Sequence, residues 1–99
     1  MKKFFAIAAV AALTFTTSVA AQDGEAVYNK SCMFCHANGV GGAPRTHQEA
    51  AWKSLMDQGM DTLIKSVRQG KGSMPAGGMC SSCSDAQLKQ AIEFMATKK

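Results

Sequence analysis

Several things are scarce in this 99-residue chain, and each scarcity closes off a class of function. There is one tryptophan, Trp52, one tyrosine, Tyr28, and no basic run longer than Lys98-Lys99. Neither the aromatic platform nor the cationic stripe of a nucleic-acid binder is present. No segment alternates apolar and polar residues as a half-buried strand does, which argues against a sheet. Internal repeats and low-complexity linkers are also missing, which leaves one domain. The apolar run from Phe4 to Leu13 is too short to span a bilayer, for which about 20 residues are needed.

That run has another use. It follows Lys2 and Lys3 and precedes the small residues Ser18, Val19, Ala20 and Ala21, the layout of a secretory signal peptide. Residues 1–21 are therefore expected to be a cleaved leader, with the cut after Ala20 or Ala21, and residues 22–99 a single exported domain in a bacterial periplasm, with no stable membrane insertion. Removing Lys2 and Lys3 leaves nine basic residues against seven acidic ones, so the formal charge falls from +4 to +2. So small a domain is near the limit of what one apolar core can hold together, and a staple is expected.

Four cysteines offer one. The stretch Cys32-Met33-Phe34-Cys35-His36 has the spacing by which a c-type haem is attached. Each thiol can add to one of two neighbouring vinyl groups on the porphyrin edge, and the imidazole that follows then lies under the iron. Cys32 and Cys35 are expected to hold one haem c, with His36 as proximal ligand and Met33 and Phe34 as packing residues. On the opposite face Met74 is the expected ligand. Pro75 restricts both itself and the residue before it, so the thioether is presented on a fixed extended segment. Met79 is the runner-up, as a contact over the haem edge. His47, the one other histidine, is expected to be solvated on the first turn of a helix. Met56, Met60 and Met95 read as core filler.

The pair Cys80 and Cys83 admits three readings. A redox-active dithiol needs a βαβ setting that the chain lacks, and a four-cysteine zinc site needs its pairs about 15–20 residues apart. Here 44 residues separate Cys35 from Cys80. A structural disulfide fits best, and because so short a loop removes little unfolded-state entropy, its value lies in shaping the Met74 loop.

Between these sites the patterns are helical. Asp23 can cap a first helix that runs to the Cys32 turn, with Ala26, Val27 and Tyr28 as apolar positions. Breakers fill Ala37 to Pro44, which reads as a loop. Thr46 and Glu49 form a capping-box pattern for a second helix from His47 to about Gln58. Asp61 can cap a third, with Leu63, Ile64 and Val67 on one face and Gly70 as the stop. Ser84 and Gln87 make another capping box ahead of Leu88, Ala91, Ile92 and Met95. Tyr28 and Trp52 each carry a donor able to reach a haem propionate or a backbone carbonyl. Arg45 and Lys53 can pair with propionates, although a solvated face is their ordinary role.

Taken together, Gly24-Glu-Ala-Val-Tyr28, the attachment motif, Gly42-Ala-Pro44, Ala51-Trp52, Gly59-Met-Asp-Thr-Leu63, Gly70-Lys-Gly-Ser-Met74-Pro75 and Cys80-x-x-Cys83-Ser84-Asp85 resemble the small class I cytochromes c, and among them the bacterial cytochrome c5 type. The resemblance runs from about Gly24 to about Met95. It implies an all-α fold of about four helices wrapped round one covalently bound haem, crossed first and last helices, His/Met ligation of the iron and a disulfide near the ligand loop. In such proteins a glycine and an aromatic on the first helix pack on the last, here Gly24 and Tyr28 against Ala91 and Phe94. The family often has a second proline where this chain has Ala76, a departure that bears on the stiffness of the loop.

The expected function is that of a periplasmic one-electron carrier, not an enzyme, shuttling between respiratory-chain donors and acceptors as a monomer or weak dimer. Its redox-partner proteins would meet it transiently at the haem edge, near Lys65, Arg68, Lys71 and the Met74 to Met79 loop. The alternative is a haem enzyme subunit or ligand-binding haem sensor with an open or labile distal position.

Overall fold

A computed structural model describes residues 24–98 of the chain. The expected leader and the Asp23 cap lie outside the described residues. Four helices follow one another: α1 over residues 24–36, α2 (Glu49–Met56), α3 (Met60–Gln69) and α4 (Asp85–Ala96). Among the described residues there is no strand, only an isolated bridge between Lys71 and Met74. The all-α expectation holds.

Helix α1 buries Val27, Tyr28, Ser31 and His36 and exposes Glu25, Lys30, Met33 and Phe34. It does not stop at the Cys32 turn. A π-helical stretch, Tyr28–Cys32, passes into an α-helical turn, Met33–His36, because no breaker intervenes before Gly39. The attachment motif is therefore part of a helix.

Helix α4 crosses α1. A Cβ at Gly24 would collide with the Gln90 carbonyl, so only glycine allows the two backbones this approach. One turn further on, the Tyr28 and Phe94 rings pack with centroids 5.1 Å apart. Ser84 and Gln87 form the expected capping box: the Gln87 N–H donates to Ser84 Oγ over 3.1 Å and the Ser84 N–H to Gln87 Oε1 over 2.8 Å. Leu88, Ala91, Ile92 and Met95 are all buried, as their spacing predicts.

The core has two parts. Tyr28, Trp52, Leu63, Ile92 and Met95 form one, and Val27, Cys83, Leu88 and Ala91 the other. Cys32, Ile64 and Val67 are half-buried and pack against both, so the first cysteine of the motif sits where the two cores meet. Met56 and Met60 also pack on the core, in the filler role expected of them.

Two helix starts differ from expectation. Helix α2 begins after Gln48, with no side-chain cap. Thr46 does not cap it because its hydroxyl donates to the His36 carbonyl, 3.3 Å away, and lies 3.0 Å from the Tyr28 hydroxyl. Helix α3 starts after Gly59, which leaves Asp61 inside the first turn, where its charge suits the helix dipole instead of capping it. The inward face of α3 and its stop at Gly70 are as expected.

His47 is neither helical nor freely solvated. Its backbone is left-handed (φ 67°) and precedes α2. Its N–H donates to the Met95 carbonyl (2.7 Å), Nδ1 lies 2.6 Å from the Thr97 carbonyl oxygen, and the ring packs edge-on to Phe94. The residue pins the free carbonyls at the end of α4, a role that a short-range helical pattern does not reveal.

Candidate haem site

Cys32, Cys35 and His36 come from the last turns of α1. Their i, i+3, i+4 spacing puts two sulfurs and an imidazole on one side of the helix. His36 is buried, at 7 % exposure, with its ring 5.7 Å from that of Trp52. Its Nδ1 lies 2.8 Å from the Pro44 carbonyl oxygen. A carbonyl only accepts, so Nδ1 carries the proton and Nε2 keeps its lone pair, the tautomer that a metal ligand needs.

Residues 44–46 act as a corner that holds this imidazole. Pro44 has no N–H and offers only its carbonyl. The Trp52 Nε1–H donates to the Arg45 carbonyl over 2.8 Å, which satisfies the buried indole and fixes the peptide next to Pro44. Thr46 donates its backbone N–H to the His36 carbonyl over 2.9 Å. The roles of Pro44 and Thr46 toward His36 were not foreseen. The only sequence signal is the run Gly-Gly-Ala-Pro just after the motif, which forces the chain to double back.

Both motif cysteines are free thiols, whereas Cys80 and Cys83 are joined in the expected disulfide, with Cα atoms 5.4 Å apart. Burial pushes the Cys32 thiol up to about 11 from its usual 9.0, so this position favours a neutral sulfur over a thiolate. A thioether is such a sulfur.

Met74 lies on a strap from Gly70 to Cys83. The Lys71 N–H donates to the Met74 carbonyl (3.0 Å) and the Met74 N–H to that of Lys71 (2.9 Å). Further turns follow without a break, from Gly78 N–H to Pro75, Cys80 N–H to Gly77 and Cys83 N–H to Cys80. This succession, with the disulfide, stiffens a strap that has Ala76 instead of a second proline. Gly70 is required at its base: the backbone is left-handed (φ 85°), and a Cβ would lie 2.9 Å from the Met74 carbonyl oxygen. The Met74 methyl group turns inward, toward Gly78 and Val67. At its other side the strap meets the corner through Ser73, which packs on Gly41 in the Val40–Gly42 turn. Met79, by contrast, is exposed and left-handed.

Two expectations are corrected. Arg68 is not a free docking charge, because its guanidinium bonds Asp85 (2.8 and 3.0 Å) and the Cys83 carbonyl (2.7 Å), bracing the strap against α4. Met33 and Phe34 are exposed, not packed, because they lie on the side of α1 away from the sulfurs and imidazole. Lys65 and Lys71 are exposed, as expected.

A family model described as cytochrome C oxidase, cbb3-type, subunit III matches residues 19–95. Cytochrome c5 of Azotobacter vinelandii is 40 % identical over 77 residues, covering 76 % of this chain and 93 % of that protein. A mono-heme ferrocytochrome c from Shewanella putrefaciens is 51 % identical with a TM-score of 0.70, over 79 % of this chain and 96 % of the other. A cytochrome c solved in an electron-transfer complex with nitrite reductase is 38 % identical with a TM-score of 0.68, over 75 % and 90 %. The chain belongs to the small class I c-type cytochromes.

Membership implies haem c, and the donor set fits it. No cluster of three or more His, Cys, Asp or Glu able to hold a bare metal ion occurs among the described residues. The chain instead offers two cysteine sulfurs that could bond the porphyrin edge and one oriented imidazole that could bond its iron, which suits a metal whose remaining donors come largely with the porphyrin.

Proposed function

We propose that the chain is an exported one-electron carrier whose haem c is bound through Cys32 and Cys35, with His36 Nε2 and the Met74 thioether as axial ligands. The observation that carries this reading is His36, one helical turn beyond Cys32, buried and with its Nδ1 committed to the Pro44 carbonyl. The haem supplies a ferric/ferrous couple. The chain holds the imidazole in one tautomer, keeps water from it with Trp52 and the core, and offers a thioether on a braced strap. A neutral thioether opposite an imidazole favours a higher potential than a second imidazole would. The inward Met74 and outward Met79 support the choice of Met74 as ligand. Two protein ligands, His36 and Met74, would leave no open position on the iron for a substrate, which is why we assign a carrier and not an enzyme.

The leader-like residues 1–21 and the disulfide support export to the periplasm, where oxidised cysteine pairs persist. Among the described residues no helix is long and apolar enough to cross a membrane. The relative solved with nitrite reductase supports transient contact with a redox protein, as between respiratory donors and acceptors. An absorption spectrum tests the ligation. The oxidised holoprotein is expected to be low-spin with a weak methionine-to-iron charge-transfer band, which Met74→Ala removes. Loss of the band in Met79→Ala instead would refute the ligand assignment, and a high-spin resting iron would favour the open-site alternative.

A further inference from the structure

The chain has two asparagines, Asn29 and Asn38, and both are exposed. Their surroundings differ. Asn29 lies inside the Tyr28–Cys32 stretch of α1 and is followed by Lys30, so the amide between them belongs to the helix. Asn38 is followed by Gly39 in the turn that leaves α1, where the backbone is left-handed (φ 77°). A glycine there puts no Cβ in the way of its own amide nitrogen. Among the described residues, the Gly39 N–H donates no backbone hydrogen bond. The Arg45 side chain lies against this peptide, since a Cβ at Gly39 would be 3.2 Å from Arg45 Nε. Arg45 is exposed and takes no part in the one ion pair among the described residues, between Arg68 and Asp85. The stretch has no acid of its own, because no Asp or Glu occurs between Glu25 and Glu49.

We propose that Asn38 is a self-modification site, at which the Gly39 amide nitrogen displaces ammonia from the side-chain amide and water then leaves a carboxylate beside Arg45. The Gly39 nitrogen gives its proton to solvent base and bonds Asn38 Cγ, and the Cγ–Nδ2 bond breaks with ammonia as the leaving group. Water opens the resulting succinimide. Attack at Cγ leaves aspartate and attack at the main-chain carbonyl carbon leaves isoaspartate; in either case the C–N bond at that carbon breaks and the nitrogen regains a proton. Nothing is oxidised or reduced, and water is the sole co-reactant. The guanidinium stabilises the negative charge that develops on the nitrogen and then on the Asn38 oxygen, and afterwards pairs with the carboxylate. Isoaspartate also carries the main chain through the former side chain, which lengthens the path from His36 to the Pro44 carbonyl that holds its Nδ1. The aspartyl form keeps that corner and the isoaspartyl form loosens it.

The test holds the holoprotein at neutral and at mildly alkaline pH in heavy-oxygen water, then digests it with trypsin in ordinary water, so that deamidation during work-up goes unlabelled. Cleavage after Lys30 and Arg45 separates the two asparagines, since peptide 31–45 contains Asn38 and not Asn29. Mass spectrometry reads the incorporated heavy oxygen, and methylation by an isoaspartyl methyltransferase reads isoaspartate. Peptide 31–45 is expected to take up label about tenfold faster than the peptide of Asn29, which must await local opening of α1, and faster still at alkaline pH. Asn38→Ser should abolish the uptake. Arg45→Gln, with the peptide then running to Lys53, should slow it about threefold in the folded protein and leave it unchanged in the denatured chain. Separated by ion exchange, the isoaspartyl holoprotein should melt about 5 °C below Asn38→Asp. Equal rates at the two asparagines, label without isoaspartate, no slowing by Arg45→Gln, or one Tm for both products would overturn the proposal.

Discussion

Around His36 the chain is held by side chains that reach across elements. Nδ1 bonds the Pro44 carbonyl, Trp52 bonds that of Arg45, and Thr46 and Tyr28 close the same corner. Around Met74 it is held almost wholly by backbone: turn follows turn from Lys71 to Cys83, based on a left-handed Gly70, with one disulfide and one arginine as braces. The corner therefore depends on which side chains are present, and the strap on which positions lack one. The two halves of the site should fail differently, the corner by losing buried hydrogen bonds and the strap by losing its path.

The largest effect tests the corner. His36→Ala removes the imidazole that the Pro44 carbonyl holds and Trp52 packs against, and low-spin holoprotein should not form even though Cys32 and Cys35 remain. A low-spin spectrum from the purified variant would mean that another residue supplies the proximal bond. Next, Gly70→Val places a branched side chain at a left-handed position and against the Met74 carbonyl. It should cost about 2–4 kcal/mol and abolish the methionine charge-transfer band, while denatured protein keeps its covalent haem. If the band survives, the strap is less tightly specified than its turns indicate.

Trp52→Phe sharpens the contrast from the corner side. It removes the shorter of two hydrogen bonds to the Arg45 carbonyl, leaving that from the Gln48 N–H, and opens space beside His36, at a cost of about 2–3 kcal/mol, read as a lower Tm with the methionine band intact. Smallest is the double substitution Cys80→Ser with Cys83→Ser. Because the closed loop is so short, we expect a loss of about 1–2 kcal/mol in denaturant unfolding, together with a weaker methionine band as the strap loosens. A stability loss with an unaltered band would show that the disulfide serves α4 and not the ligand.

How much of this was legible beforehand follows the range of each interaction. The α4 capping box, the inward spacing of Leu88 to Met95 and the Gly70 stop were read correctly because each is a pattern within a few residues. Thr46 and Asp61 were misread as caps for a related reason. A short polar side chain bonds whichever backbone group the fold brings near, and for Thr46 that group is the carbonyl of His36, ten residues earlier. His47 and Arg68 belong with them. Both looked like free surface groups, and both are spent on distant carbonyls, of Thr97 in one case and Cys83 in the other. Met33 and Phe34 were expected to pack because they fill the interval within the motif, but on a continuous helix the interval turns to the side away from Cys32, Cys35 and His36.

By itself the sequence determined which groups the proposed attachment would use, since two thiols and an imidazole at i, i+3 and i+4 on one helix need no other part of the chain to share a side. Only the tertiary structure decided how that chemistry is set. The Pro44 carbonyl that fixes the His36 tautomer and the Ser73 to Gly41 contact that brings the strap to the corner join groups far apart in sequence, and no local pattern encodes such a meeting.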